Sequence, residues 1–230
     1  MRLAALLLAA LVAGCSAPGT QLDPAPAAST VGSETAVDRV DGVRMTVESG
    51  AWTGLARVKT EVTPLRVTIS NGGRSPLRLR YNEFALVGPG GERYAALPPY
   101  GVEGDVTDPT LVDAYGPVAA PGFTARGFRV APYYASVYPT LTPYAGSFYY
   151  DRPYYDRYYT VYREIELPTE EMVEQALPEG VIDPGGEVSG FLYFERVDPD
   201  APRVRFRADL ADAETGDTFG EVSIPFVVEE

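Results

Sequence analysis

Leu65-Arg66-Val67-Thr68-Ile69, Asn71-Gly72-Gly73 and Leu77-Arg78-Leu79-Arg80-Tyr81 follow one another in the chain, and this succession decides the fold class. In both flanking runs apolar and polar residues alternate with a period of two, the spacing of a strand with one buried face. The Asn-Gly-Gly between them interrupts that period with turn chemistry. Leu65, Val67, Ile69, Leu77 and Leu79 are therefore expected to point inward, and Arg66, Arg78 and Arg80 outward.

The same period extends in both directions. Val43-Arg44-Met45-Thr46-Val47 carries it upstream. Downstream, Phe84-Ala85-Leu86-Val87 and Arg93-Tyr94-Ala95-Ala96-Leu97 flank Gly88-Pro89-Gly90-Gly91 and read as a hairpin. Asp183-Pro184-Gly185-Gly186 is a turn by composition, and the run that follows, Val188 to Phe194, is apolar on both parities and is expected to be a central strand. Val204, Phe206, Ala208 and Leu210 alternate with Arg203, Arg205, Arg207 and Asp209, with Thr215-Gly216-Asp217 as the hairpin tip. Val222 to Val228 closes the chain, and Pro225, which has no N–H, is expected where that strand ends, bends or lies at an edge.

One stretch reads as a helix. In Thr169-Glu170-Glu171-Met172-Val173-Glu174-Gln175-Ala176-Leu177 the threonine suits an N-cap, the glutamates suit the positive end of the dipole, and Met172, Val173, Ala176 and Leu177 form one apolar stripe. Seven or eight short strands and one short helix predict a mainly β chain, an antiparallel immunoglobulin-like β-sandwich. Val67 to Leu97, with Asn71-Gly72-Gly73, Pro76-Leu77, Phe84, Gly91 and Tyr94, resembles the immunoglobulin-like domains of bacterial envelope lipoproteins. So does Pro184-Gly185-Gly186 followed by Gly190-Phe191-Leu192-Tyr193-Phe194. The resemblance implies no catalytic residue.

The N-terminus gives an address. Arg2, the apolar run Leu3 to Val12 and the small pair Ala13-Gly14 have the order of a secretory signal. That run is too short to span a bilayer, which takes about 20 residues. Leu11-Val12-Ala13-Gly14-Cys15 resembles the lipobox of bacterial lipoproteins. In that family the cysteine thiol is diacylated, the signal is cut before it, and the new amino group is acylated. The resemblance implies that Cys15 is the lipidation site and that the membrane is a partner through its lipid. Ser16, where an Asp would favour retention in the inner membrane, is consistent with an outer-membrane lipoprotein. Residues 15–38 are rich in Ala, Pro, Ser, Thr and Gly and read as a flexible tether. The organisation expected is thus a signal peptide over 1–14, the tether over 15–38, and a sandwich domain over 39–230 with an insertion at about 98–167.

Composition removes several functions. The formal net charge of -13 is spread along the chain, and such a surface repels phosphate backbones, so nucleic acid is not an expected partner. There is no histidine and a single cysteine. Ser-His-Asp and Cys-His catalysis, histidine-ligated metals, and a disulfide are excluded. No cofactor is expected.

Within 133–162 lie eleven tyrosines, and Tyr149, Tyr150, Tyr154 and Tyr155 are the candidate binding residues. Tyrosine offers a large, rigid, amphipathic face at low entropy cost, suited to an envelope protein or glycan partner. The competing reading is an insertion whose rings pack over the sandwich and over each other. Asp209, Asp212, Glu214 and Asp217 gather at one turn, but their spacing is not that of a calcium loop, and no metal is expected. Glu164 and Glu166, beside the aromatic segment, keep an envelope glycan-acting hydrolase with a carboxylate pair as the alternative to a non-enzymatic binding or structural module. A subunit of a larger envelope complex is a third reading. Trp52 is expected to anchor the core or its edge.

Overall fold

A computed structural model describes residues 20–98, 122–146 and 170–229. They are mainly β. The eleven strands are β1 (Gln21–Pro24), β2 (Thr35–Val40), β3 (Val43–Glu48), β4 (Val62–Asn71), β5 (Leu77–Leu79), β6 (Phe84–Val87), β7 (Arg93–Leu97), β8 (Thr124–Val130), β9 (Gly180–Glu195), β10 (Arg203–Asp212) and β11 (Thr218–Glu229). Two short helices are described, α1 (Ala56–Glu61) and α2 (Glu170–Gln175). One hydrogen-bonded antiparallel sheet runs β1-β11-β10-β6-β7-β9-β4-β3-β2, with β5 bridging β10 and β9, and β8 beside β9.

β9 organises the sheet. Its C-terminal half pairs with β4 (Ser70 opposite Glu187, Val62 opposite Glu195) and its first residues pair with β5 (Leu77 opposite Ile182). The other flank is taken by β7 and β8. Pairing directions require this strand to double back. β10, β5 and β9 are successively antiparallel, so β9 at Gly180–Ile182 runs with β10. The path through β6 and β7 adds one more antiparallel step, so at Tyr193–Phe194 it runs against β10. The reversal falls at Asp183-Pro184-Gly185-Gly186, where Gly185 has φ of 78°. β8 follows round the same corner through Gly127, φ 58°. A Cβ on Gly186 would lie 2.5 Å from the Gly127 carbonyl oxygen, so the two backbones cross where no side chain fits.

The core lies inside this fold-back. Leu65, Val67, Ile69, Leu77 and Leu79 are all buried in it, as the alternation requires. Phe206 of β10 meets Phe194 of β9 at 6.1 Å and Phe84 of β6 at 6.3 Å between ring centres. The far ends of the path also approach: the Ser223 N–H on β11 donates to the Asp38 carboxylate on β2. A second cluster, built on Trp52, Val58, Met172, Phe191 and Tyr193, joins α1 and α2 to β9. Trp52 sits edge-on to Phe191 at 5.1 Å and to Tyr193 at 5.7 Å, the anchoring role expected of it.

Three expectations need correction. Residues 15–38 are not all tether, because β1 and β2 fall inside that range, with Leu22 and Ala36 buried in the core. Few large apolar residues are needed when the strands are short and one neighbour supplies the rest of the core. Second, the stretch 98–167 is not one insertion. β8 falls inside that range and pairs with β9, Thr124 facing Ser189, on the flank where Leu97 faces Tyr193. Third, β5 stops at Leu79. A 3-10 turn over Tyr81–Glu83 follows, and Arg80 lies buried in place of facing solvent. Pro225 stands as expected at an edge: it is opposite Arg205 on one side, and on the other the β1 ladder ends at Pro24 opposite Phe226. Its carbonyl accepts from the Ala25 N–H, so its nitrogen faces the β1 side just past Pro24, the last paired residue there, and no ladder bond to β10 is lost.

Candidate functional site

Cys15, Tyr149, Tyr150, Tyr154 and Tyr155 lie outside the described residues, as do Glu164 and Glu166. The tyrosines just before that segment are described, and they pack. Tyr134, Tyr138 and Tyr144 are buried in the main core. Their segment is folded by turn hydrogen bonds, Tyr138 N–H to the Tyr134 carbonyl and Tyr144 N–H to the Val130 carbonyl.

Three buried tyrosine hydroxyls share one task, which is to hold α2 and the residues just after it. A short helix leaves its last carbonyls without intrahelical partners. Tyr193 donates to the Met172 carbonyl at 3.1 Å, Tyr138 to that of Val173 at 3.2 Å, and Tyr81 to that of Leu177 at 2.9 Å. Three phenols from β9, the tyrosine-rich segment and the β5–β6 turn thus converge on one helix end. Close approach completes the seat: the Leu177 N–H donates to the Phe191 carbonyl, and Gly190 lies below it where a Cβ would meet the Leu177 backbone at 3.0 Å.

Two clefts mark opposite ends of β11. One, of about 320 Å³, is lined by Thr20, Gln21, Glu34 and Lys59 among others and adjoins the first described residue. The other, of about 430 Å³, is formed where three turns meet and is lined by Asp41, Arg74, Asp212, Asp217 and Phe219 among others. Its walls are rigid for local reasons. Asn71 donates to the carbonyls of Ser75 and Ile182, and accepts from the Gly73 N–H, tying the β4–β5 turn to the β9 corner. Asp41 and Gly42 both have positive φ in the tight β2–β3 hairpin, whose Gly42 carbonyl accepts from Gly72.

The acidic tip of the β10–β11 hairpin is one wall of this cleft. Burial pushes the Asp212 carboxyl up, but hydrogen bonds from the N–H groups of Glu214 and Thr215 and from the Ser75 side chain outweigh it and hold the group below its ordinary value. Asp212 is thereby committed to its own turn. Among the described residues no group of three acidic side chains converges as metal ligands would. Phe219, 40% exposed, is the largest apolar ring left open at this end. The cleft offers a carboxylate-rich rim, one guanidinium and an aromatic face. Sequence reading named the aspartates of the tip, but Asp41, Arg74 and Phe219 come together only through the packing of three turns.

A buried charged group lies elsewhere, at the 3-10 turn. Glu83 accepts from Arg78 Nε at 2.7 Å and from the Arg80 N–H at 2.8 Å, and Glu179 accepts from the Tyr81 N–H. Burial pushes the Glu83 carboxyl up to about 7 despite the Arg78 guanidinium beside it. Its place, wedged between β5, β6 and β10 at the base of the turn, makes it part of the framework. Among the described residues no helix is long and apolar enough to cross a membrane. No family model, curated protein or solved structure matches the chain.

Proposed function

We propose that the chain is a lipid-anchored, non-enzymatic binding or structural module of the bacterial cell envelope, tethered in the outer membrane through acyl groups on Cys15. The observation that carries this reading is the position of Thr20. It stands five residues after the cysteine of the lipobox-like stretch and is the first described residue, at one end of β11, while the turn-lined cleft opens at the other. A module with its anchor at one pole and its turns at the other is arranged to hold and present. The doubling back of β9 and the contact between Phe194 and Phe206 support a sandwich of immunoglobulin-like type as its scaffold. Its partner is an envelope protein or glycan, engaged through Tyr149, Tyr150, Tyr154 and Tyr155.

Cys15→Ser tests the anchor: the variant should leave the membrane fraction, and its persistence there would refute the lipid reading. Changing the four tyrosines to Ser tests the surface. Retention on peptidoglycan, polysaccharide or co-purifying envelope proteins should be lost, and unchanged retention would exclude these rings as the contact.

A further inference from the structure

We propose that the end of the domain carrying Thr20 and α1 rests on the bilayer, with Leu55 as its apolar contact. This rests on the lipid-anchor reading of Cys15. Distance makes the argument. Thr20 is five residue steps beyond Cys15, and at about 3.6 Å per step the fully extended chain reaches about 18 Å. Gln21 is paired with Glu229, and Phe219 lies ten residues back along β11, about 33 Å away at roughly 3.3 Å per residue. The connection is too short for the domain to stand on its Phe219 end, which would lift Thr20 about 33 Å from the surface, so the Thr20 end is the one held close to the membrane.

α1 shares that end. Lys59, in its last turn, lines the same cleft as Thr20, and the Thr20 hydroxyl donates to the Val197 carbonyl beneath. Leu55 immediately precedes α1 and is 50% exposed. A single exposed leucine is ordinary on a protein surface. What sets this one apart is that its backbone is pinned on both sides while its side chain is left outside: its N–H donates to the Glu171 carboxylate, and its carbonyl accepts from the buried Trp52 indole. The leucine is held outward at the end nearest the acyl chains. Glu34 and Glu171 on the same end limit the contact to the headgroup region, since carboxylates resist transfer into hydrocarbon.

Acylation consumes the only native thiol, so a single introduced cysteine in the full lipidated chain takes a nitroxide label specifically. Leu55→Cys, Thr53→Cys on the same exposed loop, and Phe219→Cys are each labelled and reconstituted into phosphatidylcholine vesicles. Labels at 55 and 53 should be shielded from an aqueous nickel chelate and accessible to oxygen dissolved in the lipid, whereas the label at 219 should show the reverse. Equal exposure of all three to the chelate, in protein that floats with the vesicles, overturns the docked orientation and leaves the anchor intact. Failure of the chain with native Cys15 to float overturns the anchor reading, and the orientation with it.

Discussion

Glu83 should make the stability of this protein fall as pH rises from 4.5 to about 7, and the size of the effect can be worked from its surroundings. Its carboxyl is pushed from an ordinary value of 4.5 to about 7, first by burial, with Arg78 and the backbone of Arg80 pulling only partly back. Between these two values the folded state holds a proton that the unfolded chain has released. Stability therefore declines with increasing pH across that window and is flat above it. The displacement corresponds to about 3 kcal/mol. The window is unusually clean, because the chain has no histidine to titrate within it. Glu83→Gln retains an acceptor for the Arg80 N–H and removes the ionisation, and Arg78 is exposed enough to be hydrated. Thermal melts of both proteins at pH 5 and pH 7.5 provide the assay. The wild type should lose roughly 6–12 °C of Tm relative to the variant over that interval, at about 2–4 °C per kcal/mol for a domain of this size. Parallel pH profiles, or a wild type that gains on the variant as pH rises, would refute the argument that burial outweighs the ion pair.

Two further outcomes are expected. Asn71→Ala leaves the carbonyls of Ser75 and Ile182 and the N–H of Gly73 without their partner, and should lower unfolding free energy in urea by about 3 kcal/mol, with less than about 1 kcal/mol counting against its role as the tie between turn and corner. Tyr138→Phe keeps the ring against Phe123 and removes only the hydroxyl donated to the Val173 carbonyl. It should cost about 1–2 kcal/mol, and amide exchange should quicken in α2 before it does in β4.

Much of the sheet is legible in the sequence, because its strands bury one face each and write that face as alternation. Val43 to Val47, Leu65 to Ile69 and Val204 to Leu210 fall inside β3, β4 and β10, and the hairpin tip at Thr215-Gly216-Asp217 stands where turn chemistry put it. Val188 to Phe194, apolar on both parities, is indeed flanked on both sides. What escapes reading is short or shared. β1 buries essentially one side chain, Leu22, and β2 only Ala36, so neither carries enough hydrophobic signal to stand out from a Pro- and Ala-rich leader. Asp41-Gly42 was the available clue, since an Asp-Gly pair before an alternating run is a strong hairpin signal. In β8, Thr124, Ala125, Arg126 and Gly127 are all exposed, and its place is set by a register with β9 that no local pattern encodes. Arg80 is misread because alternation assumes that the strand continues, and here a 3-10 turn rotates the side chain inward. The clefts follow the same rule: aspartates at a tip can be seen in sequence, but the meeting of three turns cannot.

The doubling back of β9 also fixes an order of assembly. β4, β5, β7 and β8 all precede it in the chain; until residues 180–195 have been made, β4 and β7 each lack their second strand neighbour and β5 and β8 have none. Until then their backbone donors and acceptors stand open to any passing strand, the condition under which β chains stick to one another. β9 arrives last among them and pairs with all four at once, while β5 and β6 still wait for β10. A chain truncated before residue 180 should thus be a hazard to its neighbours, whereas one truncated after residue 195 would leave β5 and β6 as the strands still waiting for a partner among those around β9.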